Sequence, residues 1–216
     1  MSRTLGARNA QFVERRNALI ARAKDRLALQ TGNSPSFREL ALACGVSVAT
    51  LRHYFGSRDA LIKGVFAHYL QGGQRHLERT REALADTVTF EFSLHEFLTR
   101  VVKAWSGDTV GLLHRIGLAE GLRNRVTALD YLVDVLEPTL QALEQRLRHH
   151  VTRGDMLDGD TRHAALMLLS PVLLALLHQH DLGGTRCRPL AVPALIDEHV
   201  KIFLRAYGAR NVAAGG

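Results

Sequence analysis

The chain has 216 residues, of which 46% are hydrophobic and 23% charged, and it carries a formal net charge of +7. This composition is typical of a folded protein with a sizeable core, and it excludes wholesale disorder. Two cysteines cannot build a disulfide framework, and the first residues lack the apolar segment of a secretory signal, so we expect a cytoplasmic protein.

The excess positive charge is confined to the beginning of the chain. Residues 1–63 hold 11 Lys and Arg against four Asp and Glu, whereas residues 64–216 hold 17 of each kind. Such asymmetry is typical of a small module that binds a polyanion and is joined to a neutral domain. We therefore predict two domains, 1–63 and 64–216, and expect the first to bind a polyanion such as double-stranded DNA.

Helical periodicity runs along almost the whole chain and predicts an all-α protein of about nine helices. The first four are expected near residues 8–30, 37–44, 48–55 and 58–81. Ser36 and Glu39 have the spacing of a capping box, and Ser47 and Ser57 are placed to cap the third and fourth helices.

The second and third helices, joined by a three-residue turn that begins with glycine, have the arrangement of a helix-turn-helix. Gly45 lies where the chain turns sharply and a Cβ atom is unfavourable. Leu51 and Phe55 are spaced i, i+4 on one face of the third helix, and with Leu40 and Val46 they are expected to pack inward. The first part is thus predicted to be a three-helix DNA-binding domain.

The opposite face of the third helix carries the residues predicted to read DNA. Arg52 has a forked guanidinium that can bind O6 and N7 of guanine, and His53 can contact a base edge or a thymine methyl group. Small Ala49 allows close approach to the groove floor, while Thr50 and Tyr54 can donate to phosphates. The other predicted DNA contacts are Ser36, Arg38, Ser47, Val48 and Arg58.

The stretch SFRELALACGVSVATLRHYFGSRDALIKGVF, residues 36–66, resembles the DNA-binding domain of the TetR family of bacterial transcriptional regulators. The residues that follow the family pattern are Val46, Ser47, Thr50, Leu51, Tyr54, Phe55, Arg58 and Leu61. Arg52 stands where tyrosine is usual, which favours a guanine contact over a phosphate contact there, and Arg58 replaces the usual lysine. The resemblance implies a ligand-responsive transcriptional regulator, a repressor released from its operator by a small molecule.

The rest of the chain is predicted to form a larger helical domain. Its helices are expected near 93–105, 109–122, 126–152, 161–180 and 193–207, with kinks at Pro138 and Pro171. The family resemblance implies a ligand cavity among the middle helices and a homodimer formed through 161–180 and 193–207. The apolar run 164–177 is shorter than the roughly 20 residues of a membrane span, so no membrane partner is predicted.

The side chains expected to contact an effector are mostly apolar: Phe97, Val101, Trp105, Leu113, His114, Ile116, Tyr131 and Val135. They favour a largely apolar small molecule with a few polar groups. The histidine spacings do not indicate a metal site, and the sequence contains no HExxH or CxxC motif. No metal and no cofactor are therefore predicted. The GxSxG, Walker A and GxGxxG motifs are also absent, so we do not expect an enzyme.

Two alternatives stay open on the sequence alone. One is a DNA-binding regulator or architectural factor that responds to no small molecule. The other, from a different class, is an all-helical enzyme or carrier whose basic N-terminus docks on anionic lipid.

Overall fold

The computed structural model of the chain describes residues 5–29, 34–82, 88–106 and 110–209. The α-helices in these segments are α1 (Leu5–Ala28), α2 (Phe37–Ala43), α3 (Val48–Phe55), α4 (Arg58–Glu82), α5 (Phe90–Ser106), α6 (Val110–Gly121), α7 (Arg125–Tyr131), α8 (Glu137–Thr152), α9 (Thr161–His180), α10 (Gly184–Cys187) and α11 (Val192–Tyr207). Among the described residues there is no β-strand, and one isolated bridge joins Met156 to Gly208. The predicted all-α class is confirmed.

The predicted continuous helix over 126–152 is wrong in one respect. A π-helical segment, Leu132–Leu136, separates α7 from α8, so the irregularity lies before Pro138 rather than at it. Pro138 is the second residue of α8, which directly follows the π-helical segment. Helix α10, a single turn that follows Gly183 in the left-handed conformation, was not predicted from the sequence.

Contacts within the chain group it into two compact units, Met1–Gly73 with Leu112–Val135 and Gln74–Gly111 with Leu136–Gly216. The first unit therefore contains α6 and α7 as well as the helix-turn-helix. In its core, Leu40, Leu51 and Phe55 are buried as predicted, whereas Val46 is half-buried. The predicted boundary after residue 63 separates a DNA-binding domain from a ligand-binding and dimerisation domain, and it stays a prediction.

The second unit is built around α9, which packs against α5, α8 and α11. By length and composition α9 could cross a membrane, but 39% of its most apolar window is buried inside the protein. Its buried face has the i, i+4 spacing of Ala164, Leu168, Val172 and Leu176. The other side of α9 leaves large apolar side chains exposed.

Candidate nucleic-acid interface

The turn between α2 and α3 and the caps of these helices follow from local sequence. The Ser36 Oγ accepts from the Glu39 backbone N–H at 3.2 Å, and the Ser36 backbone N–H donates to the Glu39 carboxylate at 2.7 Å. These hydrogen bonds lower the pKa of Glu39 below its usual value. The Ser47 Oγ accepts from the Thr50 backbone N–H at 3.0 Å. The predicted capping box and the predicted cap of α3 are therefore confirmed.

Glycine is required at the turn itself. Gly45 adopts φ +68°, a left-handed conformation that other residues reach only with strain. Beside it, the Arg22 guanidinium of α1 donates to the Cys44 carbonyl at 2.7 Å, at the C-terminal end of α2. A cation at a helix C-terminus is favoured by the helix dipole. Helix α1 thus helps to set the angle at which α3 follows α2.

Helix α3 has one face in the core and one face in solvent. Ala49, Arg52 and His53 are exposed, while Leu51 and Phe55 are buried. The remaining predicted contacts of α3, Val48, Thr50 and Tyr54, are half-buried at the sides of this exposed face, and Ser47 is exposed at its start. At the start of α2, Ser36 and Arg38 are also exposed. An exposed helix face of this kind fits the major groove of B-DNA.

An aromatic residue of α1, Phe12, contacts this exposed surface and was not anticipated from the sequence. Its ring stacks on Tyr54 with centroids 4.7 Å apart and meets His53 edge-on at 6.1 Å. Such contacts restrict the orientations open to both rings. Because Phe12 lies outside the helix-turn-helix motif, only the helical spacing of α1 could have suggested it, and that spacing does not specify a contact with α3.

Arg58, the first residue of α4, is engaged within the first unit. Its Nε donates to the Pro35 carbonyl at 2.8 Å, and its Nη2 donates to both carboxylate oxygens of Glu120 at 2.8 Å. The same Nη2 contacts the Ser34 hydroxyl, which also donates to Glu120. Glu120, at the end of α6, is only 5% exposed, and no motif in the sequence indicated a role for it.

Two further contacts tie α4 to α7 in the same unit. The Lys63 ammonium donates to the Asp130 carboxylate at 2.6 Å, and this bond raises the pKa of Lys63. The rings of Phe66 and Tyr131 lie 6.4 Å apart. Helices α6 and α7 therefore contact the helix that directly follows α3.

The predicted effector residues His114 and Tyr131 form a buried hydrogen-bonded pair. The His114 Nδ1 and the Tyr131 hydroxyl are 2.9 Å apart. Burial lowers the pKa of His114 to about 4 and raises that of Tyr131 to about 12. Both side chains are consequently neutral at pH 7, which suits an apolar surrounding. The Tyr131 ring lies over Gly117, where an added Cβ atom would be 2.0 Å from a ring carbon.

The predicted effector residues divide between the two units. Phe97, Val101 and Trp105 belong to the second unit, and Leu113, His114, Ile116, Tyr131 and Val135 belong to the first. All except Val101 are buried. Separately, α7 carries an open groove of about 520 Å³ lined by Arg125, Val126, Ala128, Leu129, Asp130 and Leu132, none of which was predicted to contact an effector.

Comparisons with known proteins agree with this arrangement. Residues 26–65 match the family model of bacterial regulatory proteins of the tetR family, and residues 93–209 match that of the C-terminal domain of AefR-like transcriptional repressors. The HTH-type transcriptional regulator BetI of Brucella anthropi is 26% identical over 206 residues, which cover 88% of this chain and 93% of BetI.

Solved structures share the fold at lower identity. A Mesorhizobium loti protein assigned to the TetR family is 18% identical with a TM-score of 0.69, covering 91% of this chain and 98% of its own. The transcriptional regulator FadR of Bacillus subtilis, in complex with stearoyl-CoA, is 18% identical with a TM-score of 0.64, covering 86% of this chain and 96% of its own.

Proposed function

The chain belongs to the TetR family of bacterial transcriptional regulators, and on that premise we propose that it is a cytoplasmic repressor released from its operator by a small molecule. The observation that carries the DNA-binding part of the proposal is the exposed face of α3, formed by Ala49, Arg52 and His53. It combines a small residue with a bidentate donor and a ring, which are suited to close contact with base edges.

The proposed contacts divide between bases and phosphates. Arg52 reads guanine, and His53 contacts the neighbouring base pair. Ser36 and Arg38 at the start of α2, and Tyr54 beside the exposed face of α3, bind the phosphates that flank the groove. Phosphate contacts of this kind supply affinity and a dependence on salt, whereas sequence preference comes from the base contacts.

A homodimer through α9 and α11 is supported by their unpaired apolar surface. Leu166, Met167 and Leu174 are exposed on α9, and Ile202 is exposed on α11. Large apolar patches on a soluble protein mark an interaction site. Two copies of this surface can pair about a two-fold axis into a four-helix bundle. Such a dimer would present two copies of α3 to half-sites about one DNA turn, roughly 34 Å, apart.

A largely apolar effector is supported by the residues proposed to contact it. In the first unit the proposed contacts are the apolar Leu113, Ile116 and Val135 and the hydrogen-bonded pair His114 and Tyr131, which carries no charge at pH 7. Effector binding would favour a conformation in which α4 has shifted, so that the two α3 helices no longer match the operator. The stearoyl-CoA held by FadR makes long-chain acyl-CoA a reasonable first compound to test.

Selection of bound duplexes from random DNA tests the DNA-binding part of the proposal. The expected product is a two-fold symmetric site. On that site, Arg52→Ala should cost about 1–3 kcal/mol and relax the preference at one position in each half. Arg38→Ala, a matched loss of one exposed arginine, should weaken binding to all sequences alike and reduce the salt slope by about one per half-site.

Tyr54→Phe should also weaken binding to all sequences, because it removes only the hydroxyl group that is proposed to contact a DNA phosphate. If Arg52→Ala and Tyr54→Phe both bound the selected duplex as the wild type does, the assignment of α3 as the reading helix would be wrong.

Fluorescence anisotropy of the labelled operator, titrated with stearoyl-CoA and with compounds of other classes, tests the effector. A protein that no compound releases would instead be a regulator without a small-molecule ligand.

A further inference from the structure

Arg58 differs from the other arginines predicted to contact DNA in how its guanidinium is used. Arg38 and Arg52 are exposed, whereas the side chain of Arg58 is 23% exposed and its Nε and Nη2 already have acceptors. The acceptors are a carbonyl in the segment before α2, a hydroxyl in the same segment and a buried carboxylate of α6. The Arg58 guanidinium thereby links α4 to the segment before α2 and to α6.

The acceptors lie directly next to a predicted phosphate contact. Ser34 and Pro35 immediately precede Ser36, whose hydroxyl caps α2, and Arg38 is exposed in the first turn of that helix. Serine and arginine side chains commonly contact phosphates in protein–DNA interfaces. A displacement of the Ser34–Pro35 segment would therefore move the two side chains of α2 that are proposed to bind phosphate.

Glu120 holds Arg58 in this position. Both oxygens of its carboxylate lie 2.8 Å from the Arg58 Nη2, and the residue is 5% exposed. If Arg58 turned outward to a DNA phosphate, it would leave this buried carboxylate without its cation, which is strongly unfavourable. A guanidinium has a planar fork of donors and can hold several acceptors at once, unlike a lysine ammonium.

We propose that Glu120 is a positioning residue for DNA binding, and that Arg58 is an internal clamp rather than a phosphate ligand. Through Arg58, Glu120 fixes the Ser34–Pro35 segment and with it the end of α2 that faces the DNA backbone. The inference rests on the proposed contact between the start of α2 and phosphate, and it does not depend on an effector. It assigns to α6 an indirect part in DNA affinity, exerted through Arg58.

Glu120→Gln tests this inference, with Asp130→Asn as the matched control. Each substitution replaces a carboxylate of the first unit by an amide, each removes the partner of a cation on α4, and each raises the net charge by one. On electrostatics alone both variants should bind DNA slightly more tightly. If Glu120 holds Arg58 in place, Glu120→Gln should instead lower operator affinity about tenfold. Asp130→Asn should not lower it. Lys63, the partner of Asp130, is 58% exposed, and its ion pair joins α4 to α7 rather than to the segment before α2.

Phosphate-ethylation interference on the selected operator separates positioning from general destabilisation. In Glu120→Gln, interference should disappear at the phosphate bound by the start of α2 and persist at the other contacts. Arg58→Lys, which keeps the charge but loses the fork, should reproduce that pattern. Ser36→Ala should remove the same interference, and combining it with Glu120→Gln should cost little more than either change alone, because both act on one contact.

The opposite results would overturn the inference. If Glu120→Gln bound the operator as tightly as Asp130→Asn, or if Arg58→Lys bound like the wild type, Arg58 would be a phosphate ligand and Glu120 no positioning residue. Should Glu120→Gln fail to fold, Ser34→Ala, which removes one hydroxyl from the same cluster, must show a weaker form of the same interference change. A wild-type protein that selects no duplex would instead refute the proposed DNA site itself, which is a different outcome.

Discussion

Replacing His114 by glutamine should make the folded protein less sensitive to acid. His114 is 3% exposed, and burial lowers its pKa to about 4 from an ordinary value of 6.5. Below pH 6.5 the unfolded chain therefore takes up a proton at this position more readily than the folded chain does. The stability contributed by neutral His114 is complete above pH 6.5 and is lost progressively as the pH falls toward 4.

The size of the effect follows from the shift in the pKa. A decrease of about 2.5 units corresponds to about 3 kcal/mol in all, of which about 2 kcal/mol is lost between pH 7 and pH 5. Glutamine has a similar length and can still bond to the Tyr131 hydroxyl, but it does not titrate. The free energy of unfolding of His114→Gln should therefore fall by about 2 kcal/mol less than that of the wild type over this range.

Urea unfolding followed by circular dichroism at pH 7, 6 and 5 measures this difference. His150 is also buried with a lowered pKa, but its contribution is common to both proteins and cancels in the difference between them. Tyr131→Phe is the matched control, since it removes the hydrogen-bond partner and keeps the imidazole. It should lower stability at every pH while the slope with pH is retained. Parallel pH curves for the wild type and His114→Gln would refute the reasoning.

Three further changes test other parts of the structure. Gly117→Ala should destabilise the protein by about 1–3 kcal/mol in urea unfolding, because the new Cβ would overlap the ring of Tyr131; Gly159→Ala, which has no heavy atom within 4 Å of the new Cβ, should not. Phe12→Ala should weaken operator binding several-fold in fluorescence anisotropy without changing its salt slope, since it frees the aromatic rings of α3 and removes no charge; an unaltered affinity would argue against Phe12 as a support for α3. Leu174→Glu places a charge on the 64% exposed apolar position of α9 and should convert the proposed dimer to monomers in analytical ultracentrifugation, whereas a persisting dimer would locate the interface elsewhere.

Much of the candidate site could be predicted because its determinants are local. A hydroxyl three residues before an acidic side chain gives the capping box of Ser36 and Glu39, and the i, i+4 spacing of Leu51 and Phe55 gives the buried face of α3. Once that face is known, the exposure of Arg52 on the opposite side follows from helical geometry alone. The count of Lys and Arg against Asp and Glu in each part of the chain needs no structure, and it indicates that residues 1–63 bind a polyanion.

The sequence by itself therefore determined the all-α class, the helix-turn-helix and the side of α3 that is exposed. Only the tertiary structure showed which acceptors Arg58 bonds to, since its partner Glu120 lies 62 residues away and nothing in the intervening sequence links them. The same holds for Phe12, which reaches Tyr54 from another helix, and for the π-helical segment Leu132–Leu136. Helix formation and capping depend on residues within one or two turns, whereas these contacts depend on how whole helices pack together.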